Sequence, residues 1–450
     1  MDLITKYNVP APRYTSYPTV PYWETTPSDE QWKEHVRSMF TLSNGEEGIS
    51  VYLHLPFCES LCTYCACNTR ITVNHKVEEP YIATLLKEWD LYLELFDEKP
   101  RIREIHLGGG TPTFFSPANL EKLIKGILEK AEKFPGAEFS FEGHPNNTTR
   151  GHLVTLHRLG FTRVSFGVQD LDDKVQDAIN RVQPFENLVR VVEQARESGY
   201  TSINFDLVYG LPFQNLKTIE DTISRVISLR PDRIAFYSYA HVPWLKPGQR
   251  KYSEKDLPAD TVKRALYEKG LELFRKEGYE DVGMDHFALP GDPLFKAISE
   301  RTLHRNFMGY TANSTRLMIG LGVSSISDTW TAFAQNVKTV EGYRQQVEKG
   351  RIPVFKGHLL TDEDLVLRKH ILDIMCRNET TFESEFMKSE TFSRIVERLQ
   401  PLQEDGLMQL TGDHLHITIK GKPFLRNICL CLDARYWKKV PAAATFSTVA

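Results

Sequence analysis

Along the first 240 positions, short runs with apolar residues at every second place alternate with longer stretches that are apolar at every third or fourth. The runs 49–55, 104–107, 138–142, 163–168, 202–208 and 233–239 read as β-strands, and residues 78–97, 117–133, 185–198 and 216–229 as amphipathic helices. Repeated strand–helix units imply a parallel sheet with helices outside it, open or rolled into a barrel. In such barrels reactive groups gather where the strands end. That is where the informative residues fall: a cysteine-rich loop follows the first strand, Gly108-Gly109-Gly110-Thr111 the second, Glu142 ends the third, Gln169 the fourth, and Asp206 lies near the end of the fifth. Singly, such glycines serve turns and such acids cap helices. Their convergence on one end of the sheet points to a shared site.

The pattern changes beyond residue 290. An aromatic, glycine-rich stretch covers 299–330, and from about Thr361 the spacing is helical, ending in the alternating His414-Leu-His-Ile-Thr-Ile of a small hairpin. The expected division is an N-terminal arm (1–45), a catalytic unit (46–355) and a mainly helical C-terminal domain (356–450) whose last residues, 442–450, form a frayed tail.

With 450 residues, 41% hydrophobic, 25% charged and a net charge of -4, composition excludes disordered and fibrous classes and gives no electrostatic reason to expect nucleic acid. No apolar run approaches the roughly 18 residues of a membrane helix, and the opening lacks the basic-then-apolar pattern of a signal peptide, so the expectation is a cytoplasmic protein without membrane insertion. Seven cysteines, four of them within 58–67, argue for metal ligation in a reducing compartment.

Those four are spaced C-x3-C-x2-C-x-C. Three thiolates from one loop can hold a four-iron cluster and leave one iron open to a ligand. A zinc site is the plain alternative, although four-cysteine zinc sites usually take two pairs from separated loops. By spacing alone Cys67 is a fourth ligand, a quiet thiol or a supporting group.

C-x3-C-x2-C directly after a strand resembles the signature of radical S-adenosylmethionine enzymes. The resemblance extends through Tyr52-Leu-His54-Leu-Pro-Phe-Cys58, Cys67, Arg13-Tyr14-Thr-Ser-Tyr-Pro18, Gly283-Met-Asp285-His286-Phe-Ala, Asn306-Phe-Met-Gly-Tyr-Thr311 and Arg426-Asn-Ile-Cys-Leu-Cys-Leu-Asp433 to the oxygen-independent coproporphyrinogen III oxidases, over about residues 7–436. It implies an α/β fold, a partial TIM-like (β/α)6 barrel, and the decarboxylation of two propionates of coproporphyrinogen III to vinyl groups. It implies a [4Fe-4S] cluster on Cys58, Cys62 and Cys65, with Cys67 required but not ligating, and two S-adenosylmethionine molecules per turnover. Tyr52, Gly109, Glu142 and Ile326 resemble contacts to the first, and Tyr64, Gly110, Thr111, Gln169, Arg181, Asp206 and Ala240 contacts to the second. An external electron donor of the flavodoxin-like kind and a monomer are further implications.

Two readings concern the surroundings. His54 lies on the same strand face as Tyr52 and is assigned, with Cys67, to the reaction, in a supporting or proton-handling role. Arg13 and Tyr14 are expected to reach over the barrel mouth to the substrate's propionates. Two positions depart from the family: Gly143-His144-Pro145 after Glu142, and Met308 where relatives carry glutamine, which leaves the second cofactor's contacts less secure. The rival readings are a heme-handling relative (a chaperone, or a ring-opening or methylating enzyme), an electron carrier and a zinc protein. Cys67 and the Arg13–Pro18 arm count against the chaperone.

Overall fold

The computed structural model describes residues 3–244 and 246–440; the expected tail at 442–450 lies outside them. Six parallel strands follow one another across the sheet: β1 (Ile49–Leu55), β2 (Arg101–Gly109), β3 (Glu132–Gly143), β4 (Phe161–Gln169), β5 (Ser202–Tyr209) and β6 (Arg233–Ser238). Beyond β6 the antiparallel pair β7 (Glu280–Gly283) and β8 (His286–Ala288) continues the sheet, β8 lying against β6. On the other flank β9 (Met318–Leu321) runs parallel to β1 and leads into the antiparallel β10 (Ile326–Asp328), β11 (Ala332–Asn336) and β12 (Val354–Leu359). The result is one twelve-stranded sheet.

The two faces of the parallel strands have opposite chemistry. Val51, Leu53 and Leu55 of β1, Ile105 and Leu107 of β2, Val164 and Phe166 of β4, and Phe205 and Leu207 of β5 are buried beneath the helices. The alternate residues, Tyr52 and His54, His106, Ser140 and Glu142, Arg163 and Ser165, Asn204 and Asp206, turn the other way, as the two-residue period of a strand requires. That polar face is rolled inward. Side chains of β2 and β6 line one cavity, although four flat strand spacings of about 4.8 Å would hold them roughly 19 Å apart.

The helices start where the spacing predicts, with two shortened. The expected helix 78–97 ends at Leu93. The expected helix 117–133 ends at Leu128, because β3 begins at Glu132. The span 1–45 is more than an arm. Residues 29–43 form a helix (Asp29–Ser43), started by a capping box between Ser28 and Gln31, which buries Trp32, Val36 and Phe40 in the barrel's main core.

A second core gathers helices Asp362–Arg377, Glu390–Glu404 and Leu425–Leu432 with a three-stranded antiparallel sheet that contains the expected His414 hairpin. Position 355/356 falls inside β12, so the second unit starts after that strand, and its core also takes in Tyr7, Tyr14, Tyr17 and Tyr310. Arg426 donates to the carbonyls of Ala11 and Pro12, and Asn427 Nδ2 to the carbonyl of Tyr7 at 2.9 Å. Tyr14, 1% exposed, donates to Asp433 at 3.1 Å. It is therefore core, and the expectation that it reaches over the barrel mouth is corrected. Cys429 and Cys431 are buried thiols of the same core.

Candidate active site

The cysteine loop leaves β1 through Pro56 and is strapped across the strand ends by short-range bonds. Thr63 donates its backbone N–H to the Ile179 carbonyl at 2.9 Å, and Asn180 Nδ2 donates to the Leu61 carbonyl at 2.8 Å. Beneath the loop, Gly110 donates to the Leu55 carbonyl at 2.8 Å and Thr111 to that of Phe57 at 3.0 Å. Only glycine fits at 110, where a Cβ would stand 2.5 Å from the Pro56 carbonyl oxygen. Gly110→Ala should therefore cost roughly 1–3 kcal/mol of stability, as overpacking against backbone does, and lower the iron content per chain; denaturant titration and iron assay check both.

Cys58, Cys62, Cys65 and Cys67 open into a cavity of 590 Å³ that also holds Gly109, Gly110, Thr111, Glu142, Gln169, Arg181 and Asp206. The sulfurs have polar neighbours: the Thr111 hydroxyl lies 3.4 Å from Cys58 Sγ, and Arg181 Nη1 donates to Cys62 Sγ at 3.6 Å. A hydrogen bond from the Cys67 thiol lowers the Cys65 pKa against the effect of burial, while the same bond, with burial adding to it, raises that of Cys67. Burial, partly offset by Thr111, pushes Cys58 up to about 11. Among the described residues no three Cys, His, Asp or Glu side chains converge on one point, as a mononuclear metal needs.

A second lobe of 220 Å³ shares His106, Glu142 and Met308 with the first and is lined by Tyr52, His54 and Ile326. Glu142 accepts from the Gly109 N–H at 3.3 Å and faces His106 Nε2 at 3.4 Å; although burial acts to raise its pKa, His106 and Gly109 hold it below the usual carboxylate range. Asp206 behaves oppositely. Burial first, and then the charge of Glu142, push it up to about 6 despite hydrogen bonds from Ser165 and Asn204. One inward carboxylate is held anionic and the other is more readily protonated than an ordinary aspartate, which suits ammonium and hydroxyl partners.

His54 is enclosed. Its Nε2 lies 2.9 Å from the Asn68 carbonyl, an acceptor only, so Nε2 carries the proton and Nδ1 accepts from the Tyr52 hydroxyl at 3.0 Å. Burial lowers its pKa and keeps it neutral. With both nitrogens engaged it ties β1 to the chain leaving the cysteine loop. Gly109, at φ +113°, passes so close that a Cβ would stand 2.8 Å from the imidazole. Arg181 also donates to the Gly167 carbonyl at 2.7 Å, and the Tyr64 and Ala240 carbonyls meet at the Gln249 side-chain amide, 3.4 and 3.2 Å away. Ala240 is the expected site residue that lines neither lobe.

Arg13 does not stand over the mouth. It pairs with Asp285 at 2.5 Å, and its guanidinium lies 5.6 Å from the centre of the Tyr237 ring at the cavity's far end. Sequence reasoning missed the floor of the cavity: His106, Arg163, Asn204, Arg233, Tyr237 and His286. The available signal was the polar residue at every second strand position.

Comparisons with known proteins bear on this arrangement. Residues 52–226 match the Radical SAM superfamily. The chain is 36% identical to the oxygen-independent coproporphyrinogen III oxidase of Synechocystis sp., over 96% of this chain and 94% of that protein. To the Escherichia coli protein of the same name it is 35% identical, over 100% and 98% of the two chains. The solved structure of the E. coli coproporphyrinogen III oxidase HemN, titled a radical SAM enzyme, superposes with a TM-score of 0.88 at 35% identity, covering 94% of this chain and 97% of that one.

Proposed function

The chain belongs to the oxygen-independent coproporphyrinogen III oxidases of the radical SAM superfamily, and from that membership we propose how its own residues serve the reaction. The reaction is the oxidative decarboxylation of two propionates of coproporphyrinogen III, each losing a hydrogen atom, carbon dioxide and an electron to become vinyl, with protoporphyrinogen IX as product. The observation that carries the site assignment is a single cavity joining the three cysteines, the glycine run and the two inward carboxylates.

Bound through Cys58, Cys62 and Cys65, a [4Fe-4S] cluster with S-adenosylmethionine supplies a carbon radical able to take hydrogen from an unactivated carbon. Thr111 and Arg181 stabilise charge on the sulfurs. Glu142 receives the cofactor's ammonium, and the backbone of Gly109 and Gly110 admits its methionyl portion at close range. Tyr52 and Ile326 wall the smaller lobe around a first cofactor. Tyr64, Thr111, Gln169, Arg181 and Asp206 face the larger lobe, where a second has room, with Ala240 behind them. Met308 stands where the lobes meet and offers no amide to either. His54 is a positioning residue, because neither of its nitrogens is free to move a proton. Cys67 keeps its thiol beside Cys65 without completing the cluster.

The seven free thiols and the need for low-potential electrons suit a cytoplasmic monomer served by a flavodoxin-like donor. Among the described residues no helix is long and apolar enough to cross a membrane. Anaerobic incubation with reductant, S-adenosylmethionine and coproporphyrinogen III tests the reading. Divinyl product with two equivalents of 5′-deoxyadenosine is expected; deoxyadenosine without any vinyl product would assign the chain to a sister activity.

A further inference from the structure

The far end of the large cavity is walled by positive groups, not all of which have a partner. Arg233 and His286 line it, with Tyr237 and Tyr310. Arg13 lies against Tyr237, and the Arg305 guanidinium sits 4.5 Å from the centre of the Tyr310 ring. Arg13 has Asp285 at 2.5 Å, and Arg233 has Asp292 at 2.7 Å. Arg305, 5% exposed, has no carboxylate within 4.0 Å among the described residues, the half-buried Asp281 included. Of the three arginines only Arg233 lines the cavity, with Arg13 and Arg305 standing behind Tyr237 and Tyr310, and Arg305 is the one left without a paired carboxylate.

The hydrogen bonds tell the same story. Arg305 Nη2 donates to the Arg13 carbonyl at 3.2 Å, while its Nε and Nη1 have no partner. Arg233 Nη2 and His286 Nδ1 also lack one. The Tyr237 hydroxyl lies 3.4 Å from His286 Nε2, so with that hydroxyl donating, Nδ1 bears the proton and is a spare donor. Burial, then Arg305, with Arg13 and Arg233 adding and Asp285 opposing, push His286 down to about 3, so the three guanidiniums all act on one ring. The backbone is held under strain beside both members of the Arg13–Asp285 pair: Tyr14 and Met284, neither a glycine, have φ of 44° and 46°. A buried cation without an anion is costly, and buried donors without acceptors add to the cost, unless a ligand completes them.

We propose that this end of the cavity binds one carboxylate arm of the substrate, with Arg305 supplying the uncompensated charge and Arg233 and His286 facing the arm from the wall. The identity of the anion rests on the coproporphyrinogen reading. That substrate brings four propionates and keeps two of them, so it needs a carboxylate anchor away from the cysteine loop.

The test uses anaerobically purified holoenzyme and the fluorescent, unreactive coproporphyrin III as probe. Arg305→Met should weaken probe binding by roughly 10- to 100-fold, the range for losing bonds to a charged group, and flatten its dependence on salt. Arg305→Lys should lose several-fold less, and both should keep wild-type iron content and reductive cleavage of S-adenosylmethionine in the absence of substrate. Should the Met variant fail to load iron, the comparison of Arg305→Gln with Arg305→Lys decides, because both shorten the side chain and only one keeps the charge. Probe binding within twofold of wild type in the charge-removed variant overturns the anchor, as does a wild-type protein that does not bind the probe. Loss of binding in the variant beside a wild type that binds the probe but produces no vinyl product would keep the anchor and remove the reaction reading.

Discussion

Cys62→Ala should leave a folded, colourless protein that no longer cleaves S-adenosylmethionine. The loop that carries Cys62 is held by the Thr63–Ile179 and Asn180–Leu61 hydrogen bonds, none of which uses the thiol, so far-UV circular dichroism should be unchanged. The loss is confined to the metal. Two remaining ligands do not retain a cluster, and because the radical arises only there, turnover should fall by more than about 10³-fold. Cys67→Ala is the informative partner, expected to keep its iron while losing turnover. Iron and sulfide assays, visible absorbance and product analysis separate the two variants, and equal iron in wild type and Cys62→Ala would overturn the ligand assignment.

Glu142→Ala should show the complementary defect, a loaded cluster that binds its cofactor poorly. The carboxylate sits where the lobes meet and satisfies the Gly109 N–H, with His106 Nε2 on its other side. Removing it strands those donors and takes away the anion kept ionised beside the open side of the loop. The expected rise in KM for S-adenosylmethionine is roughly 10- to 100-fold, the worth of a charge-assisted hydrogen bond in a buried site. Glu142→Gln, keeping the shape without the charge, should recover only part of it. Unchanged KM in the alanine variant would remove Glu142 from the cofactor site.

The parallel half of the fold was open to reading because each strand is bounded by turn residues and followed by a helix of ordinary length. The site end was open too, since Cys58, Gly109, Glu142 and Gln169 all fall at strand ends. What escaped has physical causes. Strands β9 to β12 are three to six residues long, too short for a period to show, and Ile319-Gly-Leu-Gly carries none. The helix from Asp29 to Ser43 lies in a span set apart as an arm by its opening motif, although Trp32, Val36 and Phe40 recur at helical spacing. Arg163, Asn204 and Arg233 alternate with apolar residues as they would on a strand with one wet face. Only closure of the sheet turns that face into a cavity floor. Tyr14 was misplaced because its partner, Asp433, is more than four hundred residues away and no local pattern announces it.

That separation also sets an order of events. Arg13 stands behind Tyr237 of the cavity's far wall, and residues 7–14 are held there by Arg426, Asn427 and Asp433. During synthesis residues 7–14 must wait for residues 426–433, since the contacts that seat them do not exist until residue 433 has left the ribosome. A barrel stalled partway through translation could present its cysteine loop with this wall still open to water. Arrival of residues 426–433 thus controls when the site is sealed, and removing either segment should leave the same gap.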